Sequence, residues 1–319
     1  MSKSRIVYMG TPEFAVTVLA ELIKHGENIV GVITAPDKAA GRGRKISQSA
    51  VKKYADIHGI KTLQPTSLKD ASFLDELTDL NADLQIVVAF RMLPEVVWGM
   101  PKLGTFNLHA SWLPKYRGAA PINWAIINGE IETGVTTFFL NHEIDKGAII
   151  MQEKVSIKSE MNAGTLHDVL ANVGSKLVTK TCDAIASDTA NVTPQNKLKI
   201  LHQPEAPKIF KKDCRIDWNN DTETIFNLIR GLSPYPGAWT IFETDTKKQL
   251  SCKVFDCTPI NIEHNKIPGS IITDNGQALK IACKNGYITL NELQIEGKKR
   301  MKVIDFLRGS RISNEWKAI

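Results

Sequence analysis

The sequence is poor in cysteine, and the five it has do not pair by spacing. Cys182, Cys214, Cys252, Cys257 and Cys283 form an odd, scattered set without a C-x-x-C pair, which argues against both a disulfide framework and a zinc cluster. A reducing, cytoplasmic setting is expected. Long apolar runs are missing as well. Residues 6–9 are too short a stretch for a signal peptide, and no later segment is long enough to span a bilayer, so no membrane association is expected. The glycine fingerprint of a dinucleotide fold is also absent. The first turn reads Gly10-Thr-Pro-Glu-Phe14, and Pro12 with Glu13 would place a ring and a negative charge where a pyrophosphate needs bare backbone amides. This disfavours a nicotinamide-dependent oxidoreductase. Nor is the charge extreme: 40 basic residues against 34 acidic give +6, which permits a polyanionic partner without demanding one.

What is present is enough for two domains. A chain of 319 residues exceeds the usual reach of one hydrophobic core. In the first half, short apolar runs near residues 5–9, 29–34, 84–90, 104–109, 134–140 and 148–157 alternate with helical patterns. That alternation predicts an open, mostly parallel α/β sheet of Rossmann type. Thr11 is placed to cap the first helix, with Pro12 at its first position and Phe14, Val18, Leu19 and Leu22 as its apolar stripe. Residues 164–187 read as a long helix closing a domain of residues 1–188. Residues 189–210 are rich in proline, show little periodicity and read as a linker. Beyond it, 217–221 form a cap-rich start for a short helix, followed by about five short strands. A small OB-like β-barrel over 211–319 is expected.

The chemistry concentrates around residue 107. Side chains alternate along a strand, so Asn107 and His109 share one face, about 6 to 7 Å apart, while Leu108 faces the other way. In an open α/β sheet, ligands sit beyond the carboxyl ends of the strands, where this pair lies. A carboxamide beside an imidazole suits an acyl transfer that passes through an oxyanion. Taken alone, such a pair is more often structural. The context downstream shifts the balance: a turn at 111–114, a helix start at Arg117-Gly-Ala-Ala-Pro121, a strand from Thr133, and a polar loop, 141–147, that ends in Asp145-Lys146-Gly147.

Residues 107–150, NLHASWLPKYRGAAPINWAIINGEIETGVTTFFLNHEIDKGAII, resemble the core motif of the folate-dependent formyltransferases. The first turn GTPEFA and the segment TAPDKAAGRGRKISQSAVK are similar to the branch of that family that formylates methionine on initiator tRNA. The segments DWNNDTETIFNLIRGLSPYPGAW and GKKRMKVIDFLRG resemble its C-terminal domain. The resemblance implies a catalytic trio of Asn107, His109 and Asp145. It also implies 10-formyltetrahydrofolate as formyl donor, initiator Met-tRNA as acceptor, no metal, and a monomer. His109, His142 and Asp145 could otherwise form a metal-ligand set, a reading to which the resemblance lends nothing.

The same resemblance implies a folate pocket formed by Ser111, Trp112, Leu113 and Pro114 together with Ala89, Phe90, Arg91, Met92 and Leu93. Trp112 stands where the family usually has Leu, and Phe90-Arg91 where Tyr-Gly is common. Between residues 35 and 53, basic side chains surround Gly41 and Gly43; read alone, this is a solvated loop. The resemblance makes Arg42, Arg44 and Lys45 candidates for the tRNA acceptor end, with Arg42 as a wedge at the first base pair. Lys208, Lys211, Lys212, Lys298, Lys299 and Arg300 are further phosphate candidates. Two alternatives stay open. One is formylation of a small amine such as an amino sugar nucleotide, against which the C-terminal part speaks. The other is a noncatalytic RNA-binding protein, against which the intact trio speaks.

Overall fold

The computed structural model describes residues 3–40, 45–198, 202–274, 277–310, 312–313 and 315–319, with the backbone alone at 39, 40, 45 and 46. The chain divides into two compact units. The first comprises residues 1–118, 132–156 and 167–205, and the second residues 119–131, 157–166 and 206–319.

The first unit holds β1 (Arg5–Gly10), α1 (Glu13–Lys24), β2 (Asn28–Ile33), β3 (Lys38–Ala40), β4 (Lys45–Ser47) and α2 (Ala50–Ile57). It continues through β5 (Thr62–Leu63), α3 (Ala71–Asp79), β6 (Leu84–Val88), α4 (Glu95–Trp98), β7 (Thr105–His109) and β8 (Arg117–Gly118). α5 (Pro121–Ile127) falls in the second unit; β9 (Glu132–Phe139), β10 (Ile149–Ser156) and most of α6 (Ala163–Ala186) belong to the first. Its sheet runs β10-β9-β7-β6-β1-β2-β5. The strands from β7 to β5 are parallel, whereas β9 is antiparallel to β7 and to β10. The expected open, mostly parallel sheet is therefore present.

The cap of α1 differs from expectation. Pro12 is the N-cap, extended and without a side-chain cap bond, and the helix begins at Glu13. A proline keeps the residue before it out of helical conformation, which moves Thr11 one position outside the cap. Helices α2 and α3 carried little sequence signal because each buries only two side chains, Val51 and Ala55 or Phe73 and Leu77. Their starts are set instead by Ser49 and Asp70, which accept the N–H of Lys52 and Phe73. Within the segment read as a linker, Thr193 bridges Ile149 and a short 3-10 turn covers Gln195–Lys197.

β11 (Glu205–Ala206) is followed in the second unit by α7 (Thr222–Leu232), β12 (Ala238–Glu243), β13 (Gln249–Asn261), β14 (Ile271–Asp274), β15 (Ala278–Cys283), β16 (Gly286–Ile295), β17 (Met301–Lys302), α8 (Val303–Arg308) and β18 (Lys317–Ala318). Its antiparallel sheet runs β14-β15-β16-β13-β12-β18. Ser270 bridges Lys317, and Ala318 N–H donates to Gly269 O at 2.8 Å, which brings the two edges together into the expected barrel. At Gly269 the backbone has φ +86°, and an added Cβ would lie 2.3 Å from Ala318 O. Only glycine permits that approach. Phe242, Val254, Leu279, Ile281 and Leu293 fill the barrel. Among the described residues no helix is long and apolar enough to cross a membrane.

Candidate active site

Strand register places the site. Met9 pairs with Val87, Val87 with Asn107, and Asn107 with Phe138, so one row crosses four strands. Its other three members are buried hydrophobics, which makes Asn107 the polar break in an apolar row. Leu108 lies in the next row, and its methyls approach Gly174 of α6 on the opposite face. Asn107 and His109 therefore share the face away from α6, at the carboxyl end of β7, as the alternation predicted.

His109 is 7% exposed, and its Nε2 lies 2.8 Å from the carbonyl of Tyr116. A carbonyl only accepts, so Nε2 carries the proton and Nδ1 is the nitrogen free to gain or lose one. Nδ1 faces Asp145 Oδ2 at 3.9 Å. That carboxylate oxygen also accepts the N–H of Gly118 at 2.9 Å. Among the described residues nothing hydrogen-bonds the Asn107 carboxamide. Loop 141–147 thus brings Asp145 to His109, and strand β7 supplies Asn107 beside it. Asp145 and Tyr116 both have positive φ, +54° and +60°, a conformation costly for side-chain-bearing residues and frequent at functional sites.

The turn at 111–114 is held over this face by Thr136, a residue the sequence reading did not single out. Its Oγ1 donates to Ser111 O at 2.7 Å and accepts Leu113 N–H at 3.2 Å. Gln152 Nε2 adds bonds to Leu113 O and Thr136 Oγ1 at 2.9 and 3.0 Å. Ser111 closes the turn through Lys115 O at 2.7 Å. Leu113 and Pro114 are buried, so their contribution to any pocket is backbone and shape. The Trp112 ring packs on Gly134 with Lys154 Nζ 5.3 Å from its centroid.

The segment 89–93 leaves the carboxyl end of β6, next to β7. Ala89 has φ +48°, Met92 is 78% exposed and Leu93 is buried. Arg91 does not hang free. Its guanidinium donates to the carbonyls of Pro65 and Thr66, the latter at 2.9 Å, and lies 5.6 Å from the centre of the Phe90 ring. Burial lowers its pKa. The bulky cation where glycine is usual is therefore anchored to the neighbouring turn.

A family model described as formyl transferase matches residues 4–182, and one described as formyl transferase, C-terminal domain, matches residues 208–311. The chain belongs to the formyl transferase family. It is 52% identical over 314 residues to the methionyl-tRNA formyltransferase of Bacteroides thetaiotaomicron, an overlap of 98% of each chain. Two solved structures share the fold. One is the N-formyltransferase of Helicobacter canadensis in complex with folinic acid and dTDP-3-aminofucose, with TM-score 0.65, 21% identity, and coverage of 91% of this chain and 98% of that one. The other is HypX of Aquifex aeolicus in complex with tetrahydrofolic acid, with TM-score 0.64, 18% identity, and coverage of 96% and 47%. The chain spans about half the length of HypX.

The nucleic-acid candidates of this formyl transferase are placed unequally. Arg42 and Arg44 lie outside the described residues, and Lys45 is described by backbone only, in β4. Lys208 lies 5.6 Å from the Phe210 ring centre, and Lys211 the same distance from that of Trp239. Lys212, Lys298 and Lys299 are exposed. Arg300 is already engaged, paired with Glu292 and stacked 4.3 Å from the centre of Phe255. His142 turns to Glu95 and Trp98; it does not gather with His109 and Asp145.

Proposed function

We propose that the protein transfers the formyl group of 10-formyltetrahydrofolate to the α-amino group of methionine carried by initiator tRNA, as a cytoplasmic monomer. The observation that carries this reading is the 52% identity, over 98% of both chains, to a protein named methionyl-tRNA formyltransferase. The same full-length identity to a protein named for a tRNA acceptor favours tRNA over a small amine.

The geometry supplies a mechanism. The neutral amine attacks the formyl carbon, and the carbonyl oxygen becomes an oxyanion. Asn107, whose carboxamide has no hydrogen-bond partner among the described residues, donates to that oxygen. His109 keeps its Nε2 proton on the Tyr116 carbonyl, so proton exchange falls to Nδ1. As the new C–N bond forms, the amine nitrogen gives a proton to Nδ1, and Asp145, 3.9 Å from that nitrogen of the ring, sets a negative charge beside the positive charge that develops there. The bond from the formyl carbon to the folate nitrogen then breaks, and that nitrogen takes a proton. An α-amino group titrates at about 7.7 to 8.0, and the adjoining ester lowers this, so positioning and oxyanion stabilisation carry the reaction. The turns at 89–93 and 111–114 line the folate side, Arg42 wedges at the first base pair, and Arg44, Lys45, Lys208, Lys211, Lys212, Lys298 and Lys299 meet RNA phosphates, while Arg300 reaches one only by leaving Glu292.

The test incubates the protein with 10-formyltetrahydrofolate and charged initiator tRNA and follows formylmethionine. Charged elongator tRNA and an amino sugar nucleotide run in parallel. Formylation of the initiator tRNA alone is expected. Formylation of the sugar alone would refute the acceptor assignment, and no transfer to any of them would refute the activity.

A further inference from the structure

Gln195 lies in an aperiodic stretch, yet it is 4% exposed and its whole side-chain amide is used at the site. Nε2 donates to the carbonyls of Asp145 and Gly147 at 2.8 and 2.9 Å. Oε1 accepts from Arg117 Nε and Nη2 at 3.1 and 2.6 Å. The partners decide which end of the amide is which, because carbonyls only accept and a guanidinium only donates. The segment is fastened in turn: Thr193 and Ile149 exchange backbone hydrogen bonds of 2.8 and 2.9 Å, just beyond the loop that carries Asp145.

Gln195 therefore grips both parts of the carboxylate's setting. One part is the backbone of Asp145, held at φ +54°, where a non-glycine residue persists only if its surroundings enforce it. The other is Arg117, one residue before the Gly118 N–H that binds Asp145 Oδ2. Burial lowers the pKa of Arg117, while Asp145, Glu143 and Glu205 oppose that shift. The guanidinium stays charged and adds its field to the carboxylate. Gly147 leaves the loop no slack, since an added Cβ there would lie 1.6 Å from Phe139 O.

We infer that Gln195 is a positioning residue that sets the Asp145 carboxylate against His109 Nδ1, an inference that rests on the role proposed for Asp145. Formyl transfer to charged initiator tRNA is measured for Gln195→Ala and Gln195→Glu, each alone and on an Asp145→Asn background. The Glu variant matches the native size but lacks both donors, so it reports even where Ala disturbs folding. Each single change is expected to lower kcat about tenfold or more with little change in either KM. Without the Asp145 carboxylate the same change should cost less than roughly twofold, because the two residues act as one unit. A loss of equal size in both backgrounds, or wild-type kcat in both single variants, overturns the inference and leaves Asp145 its role. Wild-type kcat in Asp145→Asn alone overturns that role and the inference with it.

Discussion

At the scale of single residues, the site depends on which atoms are already taken. The Tyr116 carbonyl occupies His109 Nε2 and the Gly118 N–H binds one Asp145 oxygen, so the groups the proposed reaction draws on are His109 Nδ1 and the Asn107 carboxamide. Replacing Asp145 by Asn keeps size and polarity but removes the negative charge 3.9 Å from His109 Nδ1. A fall in kcat of about 10² is expected, with the folate Kd unchanged; wild-type turnover would remove Asp145 from the chemistry. Asn107 and His109 were legible in the sequence because strand alternation sets two polar side chains on one face. Tyr116 and Gly118 were not, since they act through backbone groups that every residue possesses. Gln195 was hidden for another reason: a lone Gln between prolines has no spacing partner, and its three neighbours come from residues 117, 145 and 147.

At the scale of elements, caps and close approaches decide boundaries. Asp221 caps α7 by accepting Thr224 N–H at 2.7 Å, which the cap-rich run at 217–221 announced. That bond holds its carboxyl below the ordinary value. The folded form is favoured above the unfolded carboxyl pKa of about 3.9, and the benefit is lost as pH falls through the lower folded value. Asp221→Ala is expected to cost about 1 kcal/mol at neutral pH in chemical denaturation. Asp221→Asn should keep most of the cap while removing the acid dependence below about pH 4; an Ala variant as stable as the native protein would contradict the cap. The longer strands of both sheets were readable because each buries a continuous or alternating row, whereas β5, β17 and β18, two residues each, were not. Helices α2 and α3 were not, because two buried side chains apiece make no stripe.

At the scale of the whole molecule, the sparse cysteines are distributed through both units and all are buried and unpaired. Burial pushes the Cys252 thiol up to about 12 and raises Cys182, Cys214, Cys257 and Cys283 as well. Native protein at pH 8 is expected to resist a thiol-titrating disulfide reagent and to release all five thiols on denaturation; immediate reaction in the native state would contradict the burial. The change in strand pattern along the chain announced a mostly parallel sheet followed by an antiparallel barrel. The assignment of α5 to the second unit was not announced, because it is made by tertiary packing between α5 and α7. The central claim, that a strand-end carboxamide beside a buried imidazole performs the transfer, is tested most directly by one single-turnover rate. Asn107→Ala, saturated with 10-formyltetrahydrofolate and charged initiator tRNA, is predicted to form formylmethionyl-tRNA about 10² times more slowly than the native protein. A native rate in that variant would contradict the account.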